Sequence, residues 1–185
     1  RLYPQEILAF WHGGLVWYGG FAGGLVAAAW YLRARGIPHL PALDQIVPFV
    51  ALGHAIGRIG CFFNGCCYGQ PTSAWFGVQF PGHPHPVIPT QLIESAALFA
   101  CYVGLRRLQR PALLRRTGLV FASYVLLYAV VRFLLEFWRG DQQVFVGEWT
   151  LAQVISVALG LTAMGSLVVE WRRHAAHVPS GRRTR

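Results

Sequence analysis

The segment Gly57-Arg-Ile-Gly-Cys-Phe-Phe-Asn-Gly-Cys-Cys-Tyr-Gly69 places an obligate cation, Arg58, among glycines at the end of an apolar segment. A second ionisable cluster, Tyr128, Arg132 and Glu136, lies inside another apolar segment. A charge at membrane depth costs about 2.5–3.5 kcal/mol on insertion scales, so two guanidiniums there point to an anionic ligand or a buried partner. A guanidinium stays protonated and presents a planar fork suited to phosphate. Gly57, Gly60 and Gly65, with Asn64 beside them, let backbone and ligand approach closely and leave room for a bulky group. The competing reading of Arg58 is hydrogen bonding to carbonyls of an interrupted helix.

Tyr124, Tyr128, Arg132 and Glu136 recur every four residues and Arg139 follows three later, so they share one helical face. One reading is an Arg132–Glu136 pair within the helix, with Arg139 snorkelling to the interface. The other is a lined polar cavity. The cavity is preferred for Tyr128 and Arg132, because a purely structural pair is cheaply replaced by apolar packing. For Arg139 alone, snorkelling is preferred. In Pro89-Thr-Gln-Leu-Ile-Glu94, Thr90 is a candidate N-cap and Glu94 falls near the first turn, where a carboxylate favours the helix dipole. Gln91 and Glu94, three apart, could equally hold Arg58 or a ligand hydroxyl.

The histidines read as satisfied or solvated side chains: His12 near the start of the first apolar segment, His54 one turn before Arg58, and His83 and His85 in a proline-rich loop. Cys61, Cys66 and Cys67 lack CxxC pairing or HxxxH spacing nearby, so a disulfide is expected before a metal site. Cys101, in an apolar run, reads as a small buried hydrophobe.

The elements that must position these groups follow from composition. The chain has 185 residues, 55% hydrophobic and 12% charged, against roughly 25% charged in soluble domains. Five segments approach the roughly 20 residues that cross a bilayer: about Phe10–Leu32, Gln45–Phe63, Pro89–Leu105, Gly118–Trp138 and Trp149–Val169. All 16 basic residues are arginine, and the net charge is +9. The arginines cluster at segment ends, as in a membrane protein with a positive-inside bias rather than a nucleic-acid binder. One set of connections carries Arg33, Arg35, Arg106, Arg107, Arg110, Arg115, Arg116 and the C-terminal arginines; the other carries Arg1 and Arg139. That asymmetry puts the N-terminus outside and the C-terminus in the cytoplasm, with the loop from about Asn64 to Ile88 extracytoplasmic. The glycines of the first segment, with Gly19/Gly23 and Gly20/Gly24 pairs, suit close helix packing, or the wall of a cleft.

The expected fold is therefore an all-α polytopic transmembrane bundle of about five spans. It forms a single integral membrane domain over residues 1–185, with a basic, disordered tail from about 172 to 185. Starting at Arg1 without Met or a signal peptide, the chain reads as part of a longer protein.

Taken in order, Trp11-His-Gly-Gly…Tyr18-Gly-Gly, Gly57-Arg-Ile-Gly with Asn64-Gly and Tyr68-Gly, Pro89-Thr-Gln-Leu-Ile-Glu94, and Tyr128-x-x-x-Arg132-x-x-x-Glu136-Phe-x-Arg139 cover nearly the whole chain. This ordered set resembles the prolipoprotein diacylglyceryl transferases, bacterial membrane enzymes that start lipoprotein maturation. The resemblance implies transfer of a diacylglyceryl group from phosphatidylglycerol to the cysteine thiol of a lipobox signal peptide, releasing glycerol phosphate, at the bacterial plasma (inner) membrane. It assigns catalytic roles to Arg58, Tyr128 and Arg132, with Tyr18 at the position of the family's functional histidine. It assigns substrate contacts to Gly57, Gly60, Asn64, Gly65, Gln91, Glu94, Glu136 and Arg139. No metal, soluble cofactor or nucleic acid is implied. Two departures fall at Cys61 and Cys66, where the family carries asparagine and glutamate, and the family's two further N-terminal helices are absent here.

Such a reaction needs a cradle for phosphate and a means of making the acceptor thiol a thiolate. A tyrosine with its ordinary pKa near 10 is a poor base at neutral pH unless guanidiniums lower it. Tyr18 as a cation-stabilised phenolate, or His12 or His54 in its place, would serve. Two alternatives stand beside this reading. One is a degenerate relative that binds anionic lipid or signal peptide without turnover. The other is a membrane thiol-redox or metal protein built on Cys61, Cys66 and Cys67.

Overall fold

A computed structural model describes residues 15–110, 117–140 and 144–176. Its helices are α1 (Leu15–Ala34), α2 (His39–Phe63), α3 (Thr90–Leu108), α4 (Leu119–Glu136) and α5 (Leu151–Ala176). Among the described residues, three stretches are long and apolar enough to cross a membrane: His39–Phe63, Leu119–Glu136 and Leu151–Arg173. α3 is not among them, since Glu94, Arg106 and Arg107 interrupt its apolar run. Part of the first expected segment, from Phe10 to Gly14, lies outside the described residues, as does His12.

The chain divides into two compact units, Arg1–Ala42 and Leu43–Arg185. The first contains α1, with Tyr18 on it, and a Gly36 turn at φ +64° that ends the helix. In the second, α4 packs against both α3 and α5. The α4–α5 approach is close because small residues face each other; a Cβ added at Gly160 would stand 3.7 Å from that of Ala129.

At one end of the second unit, a core of Val47, Ala51, Leu105 and Val120 is closed by Tyr102, Leu108, Phe121 and Tyr124. Buried Asp44 accepts backbone N–H bonds from Gly118 (2.5 Å) and Phe121 (2.8 Å), so a residue of α2 caps the start of α4. Pro48, inside α2, has no N–H for the carbonyl of Asp44 four residues back. The Gln109 side-chain amide supplies that bond at 2.7 Å, reaching from the end of α3.

At the opposite end, the segment after α2 folds over the bundle. Gly69 donates to Ile88 O (2.8 Å) and Gln70 to Trp138 O (2.8 Å). A Cβ at Gly69 would lie 2.6 Å from Trp138 O and 2.8 Å from Thr90 Cγ2, so only glycine fits there. Phe62, Phe80, Tyr68 and His83 stack in sequence beside it.

Several sequence expectations are corrected. Trp149 and Thr150 belong not to a span but to β2, paired antiparallel with β1 (Val144–Val146) through a turn at Gly147 with φ +60°. The hairpin forms because Val-Phe-Val precedes a Gly-Glu turn. Of the expected disordered tail, residues 172–176 continue α5, and residues from 177 onward lie outside the described ones. Thr90 makes no cap hydrogen bond; its hydroxyl donates instead to Cys67 O at 3.0 Å. Glu94 falls beyond the first turn of α3 and pairs with Arg58 instead. The expected disulfide is not formed: Cys61, Cys66, Cys67 and Cys101 are free thiols.

Candidate active site

Arg58 reaches from α2 to α3, where its Nη2 donates to Glu94 Oε2. The pair is nearly dry, with 11% and 3% of the two side chains exposed. His54, one turn earlier, brings Nε2 to 3.7 Å from Glu94 Oε1. Next to it Ser95 donates to Ala55 O at 2.8 Å, which seats α3 against α2 beside the pair. The partner of Arg58 in the structure is a carboxylate on a neighbouring helix rather than the carbonyls of an interrupted one.

Tyr128 stands between this pair and the second one. Its ring lies 5.3 Å from that of His54 and stacks on Tyr124 at 6.1 Å. Arg58 follows His54 by one turn of α2 and Arg132 follows Tyr128 by one turn of α4, so the ring contact joins the two arginine-bearing helices. Arg132 Nη2 lies 2.9 Å from Glu136 Oε2, the expected i,i+4 pair. The other oxygen of Glu136 accepts from the Thr150 hydroxyl at 2.6 Å, which anchors the hairpin ahead of α5.

Gln91 is fully buried and donates to Cys66 O at 2.7 Å. With Thr90 it fixes the backbone of the cysteine segment. Gly57 and Gly60 have no atom within 4 Å of an added Cβ, so packing does not require them and space remains beside Arg58. Asn64 is exposed at the end of α2, and Gly65 follows with φ +66°. The Arg139 carbonyl accepts from the Gln70 side chain at 3.3 Å, so that residue also joins the loop to α4. The side chain of Tyr18 lies outside the described ones.

Among the described residues, two buried side-chain polar atoms have neither a hydrogen bond nor an ion-pair partner, Arg58 Nε and Gln91 Oε1, while Glu136 Oε2 has only its pair with Arg132. All three belong to residues that sequence spacing singled out. Orphaned buried polar atoms are rare, and each marks a place where a ligand can complete the network. Sequence reasoning missed Asp44, Gln109 and Thr150, whose polar atoms seat the helices; none stands in a pattern that would betray a distant partner.

A helical membrane protein with two arginine–carboxylate pairs buried among its helices is the class these features define. The prolipoprotein diacylglyceryl transferase family model matches residues 2–169, and the chain belongs to that family. It is 38% identical over 157 residues to a Clostridium tetani protein named phosphatidylglycerol–prolipoprotein diacylglyceryl transferase, covering 82% of this chain and 62% of the relative. A Geobacter sulfurreducens protein of the same name is 32% identical over 179 residues, covering 92% of this chain and 67% of the relative. A Pseudomonas aeruginosa protein of that name is 34% identical over 182 residues, covering 94% and 66%. The chain thus spans about two thirds of the length of these relatives. No solved structure matches it.

Proposed function

We propose that this chain transfers the diacylglyceryl group of phosphatidylglycerol to the lipobox cysteine thiol of a prolipoprotein signal peptide, releasing glycerol phosphate. One observation carries the reading: Arg58 and Arg132, each paired with a buried carboxylate, stand one turn after His54 and Tyr128, whose rings meet at 5.3 Å. In this reading the lipid phosphate enters between the two guanidiniums, which neutralise charge growing on the leaving group. Tyr128 orients that phosphate. Gln91, Glu94, Glu136 and Arg139 contact the glycerol headgroup or hold the arginines in place. Gly57, Gly60, Asn64 and Gly65 leave the lipid its entry. The chain works as a single integral membrane domain of about five spans in the bacterial plasma membrane, N-terminus outside and C-terminus cytoplasmic. The twelve arginines on one side against two on the other support that orientation.

Proton removal from the acceptor thiol falls to Tyr18, His12 or His54; His54, already beside Glu94 and Tyr128, has the best-supported position. The test is transfer from phosphatidylglycerol to a lipobox peptide by purified protein in lipid nanodiscs. Product thioether is expected, with Arg58→Ala and Arg132→Ala inactive. Unchanged rates in Tyr18→Phe, His12→Ala and His54→Ala would remove all three residues from proton transfer. Lipid retention without product would instead favour the degenerate binding protein. Family membership weighs against a chain whose main role is thiol redox or metal binding.

A further inference from the structure

The two departures from the family pattern, Cys61 and Cys66, converge with Cys67 although the chain spacing does not suggest it. Each of the three Sγ atoms lies within 4.8 Å of the other two, and all three residues are half-buried. The convergence is built in several steps. Cys66 N donates to Cys61 O at 3.2 Å, and Cys66 Sγ lies 3.7 Å from the same carbonyl. Cys67 has φ +63°, the only positive value for a non-glycine among the described residues. An L residue adopts that region at a cost, so the surrounding bonds must impose it. Thr90 and buried Gln91 supply two of them, to the carbonyls of Cys67 and Cys66.

Three sulfurs each about 2.3 Å from a common zinc-class ion stand about 3.8–4.0 Å apart, so the thiols need to close by less than about 1 Å. No fourth Cys, His, Asp or Glu among the described residues joins the group. Structural zinc sites are closed by four protein ligands, whereas reactive ones keep three and leave a position open. Arg58 links this tripod to the pocket: its Nη1 lies 4.0 Å from Cys61 Sγ while Nη2 holds Glu94. A trithiolate carries excess negative charge around a divalent ion, and the guanidinium beside it offsets that excess.

We propose that Cys61, Cys66 and Cys67 bind one thiophilic divalent cation of the zinc class, whose open fourth position takes the acceptor cysteine as a thiolate. The tripod itself rests on the sulfur geometry alone; the role of its fourth position rests on the transferase reading. On coordination the acceptor S–H gives its proton to solvent. The sulfur then forms a bond to the diacylglyceryl methylene carbon while that carbon's C–O bond to phosphate breaks. The electron pair leaves on glycerol phosphate between Arg58 and Arg132. Metal binding would thus take over the thiol activation otherwise assigned to Tyr18, His12 or His54.

The experiment uses the full chain, reduced and metal-stripped, in nanodiscs. Zinc loading is counted by elemental analysis. Cobalt(II) substitution then reports thiolate ligation through sulfur-to-metal charge transfer. One ion per chain is expected, and metal should protect Cys61, Cys66 and Cys67 of the wild-type protein from alkylation, mapped by mass spectrometry, while Cys101 reacts equally with and without metal. Each single Cys→Ser change at the tripod should weaken affinity by at least about 100-fold, since losing even an outer-shell partner costs 10–100-fold. Cys101→Ala should leave affinity unchanged. A lipobox peptide should intensify the charge-transfer band and its Cys→Ser analogue should not. Metal removal should slow transfer by about 100-fold or more, the usual worth of activating a nucleophile's proton. Equal alkylation of all four thiols with and without metal, or a disulfide among the three in the protein as isolated, overturns the tripod. A band indifferent to the peptide thiol, or transfer undiminished without metal, overturns the role of the fourth position and leaves the transferase reading standing. Metal and peptide ligation without any lipid transfer would do the reverse.

Discussion

Two buried carboxylates sit at opposite ends of the Leu43–Arg185 unit and are satisfied by opposite means. Asp44 is 2% exposed and spends both oxygens on backbone N–H groups at the start of α4. Glu94 is equally buried, but its partners are side chains that carry or can carry charge, Arg58 and His54. Backbone donors are fixed by the helix and cannot exchange partners. Side-chain donors can turn from a carboxylate to an incoming anion. The first arrangement makes a clasp and the second makes a site, and among the described residues the unpartnered Arg58 Nε and Gln91 Oε1 belong to the second end.

Arg58→Ala tests this contrast hardest. It leaves Glu94 buried without its countercharge, and breaking such a pair from one side costs about 3–5 kcal/mol. Both unfolding midpoint and transfer activity should collapse. The double change Arg58→Leu with Glu94→Leu sharpens the point: an apolar pair should restore most of the stability, as buried pairs often allow, while activity stays absent. Recovery of activity in the double variant would mean that the pair is only structural.

Asp44→Ala should cost about 2 kcal/mol, the upper range for a lost helix cap, because Gly118 and Phe121 lose their acceptor. Its signature in thermal unfolding should come without a fall in turnover per folded molecule. A fall in turnover would erase the distinction between the two ends. Gly69→Ala, which forces a methyl onto Trp138 O, should cost about 1–2 kcal/mol and show as faster proteolysis of the 64–88 loop. Smallest of all, Gln109→Ala should cost about 1 kcal/mol by stranding the Asp44 carbonyl, again without effect on turnover.

Much of the site was legible because membrane segments make charge conspicuous. Arg132 and Glu136 pair at the i,i+4 spacing that any helix enforces. Of Gln91 and Glu94, read together as able to hold Arg58 or a ligand hydroxyl, Glu94 holds Arg58, while Gln91 turns to a backbone carbonyl. Thr90 shows the limit of local reasoning: its hydroxyl had a helix N-terminus to cap and bonded instead to a loop carbonyl 23 residues away. Asp44 was invisible for the same reason, since its donors lie 74 and 77 residues later in the chain. The cysteine convergence depends on a left-handed turn at Cys67, a conformation its side chain does not announce. Helix existence was readable, but boundaries were not where propensity and tertiary bonding disagree. α2 starts at His39 rather than near Gln45, despite Pro48, because Gln109 repairs the ladder that the proline opens.

That repair carries an evolutionary corollary. A substitution of Pro48 by any other residue would return a main-chain donor to the Asp44 carbonyl, and the amide at 109 would become redundant. Positions 48 and 109 should therefore drift together, with glutamine at 109 persisting in lineages that keep the imino acid and free to vary in those that lose it.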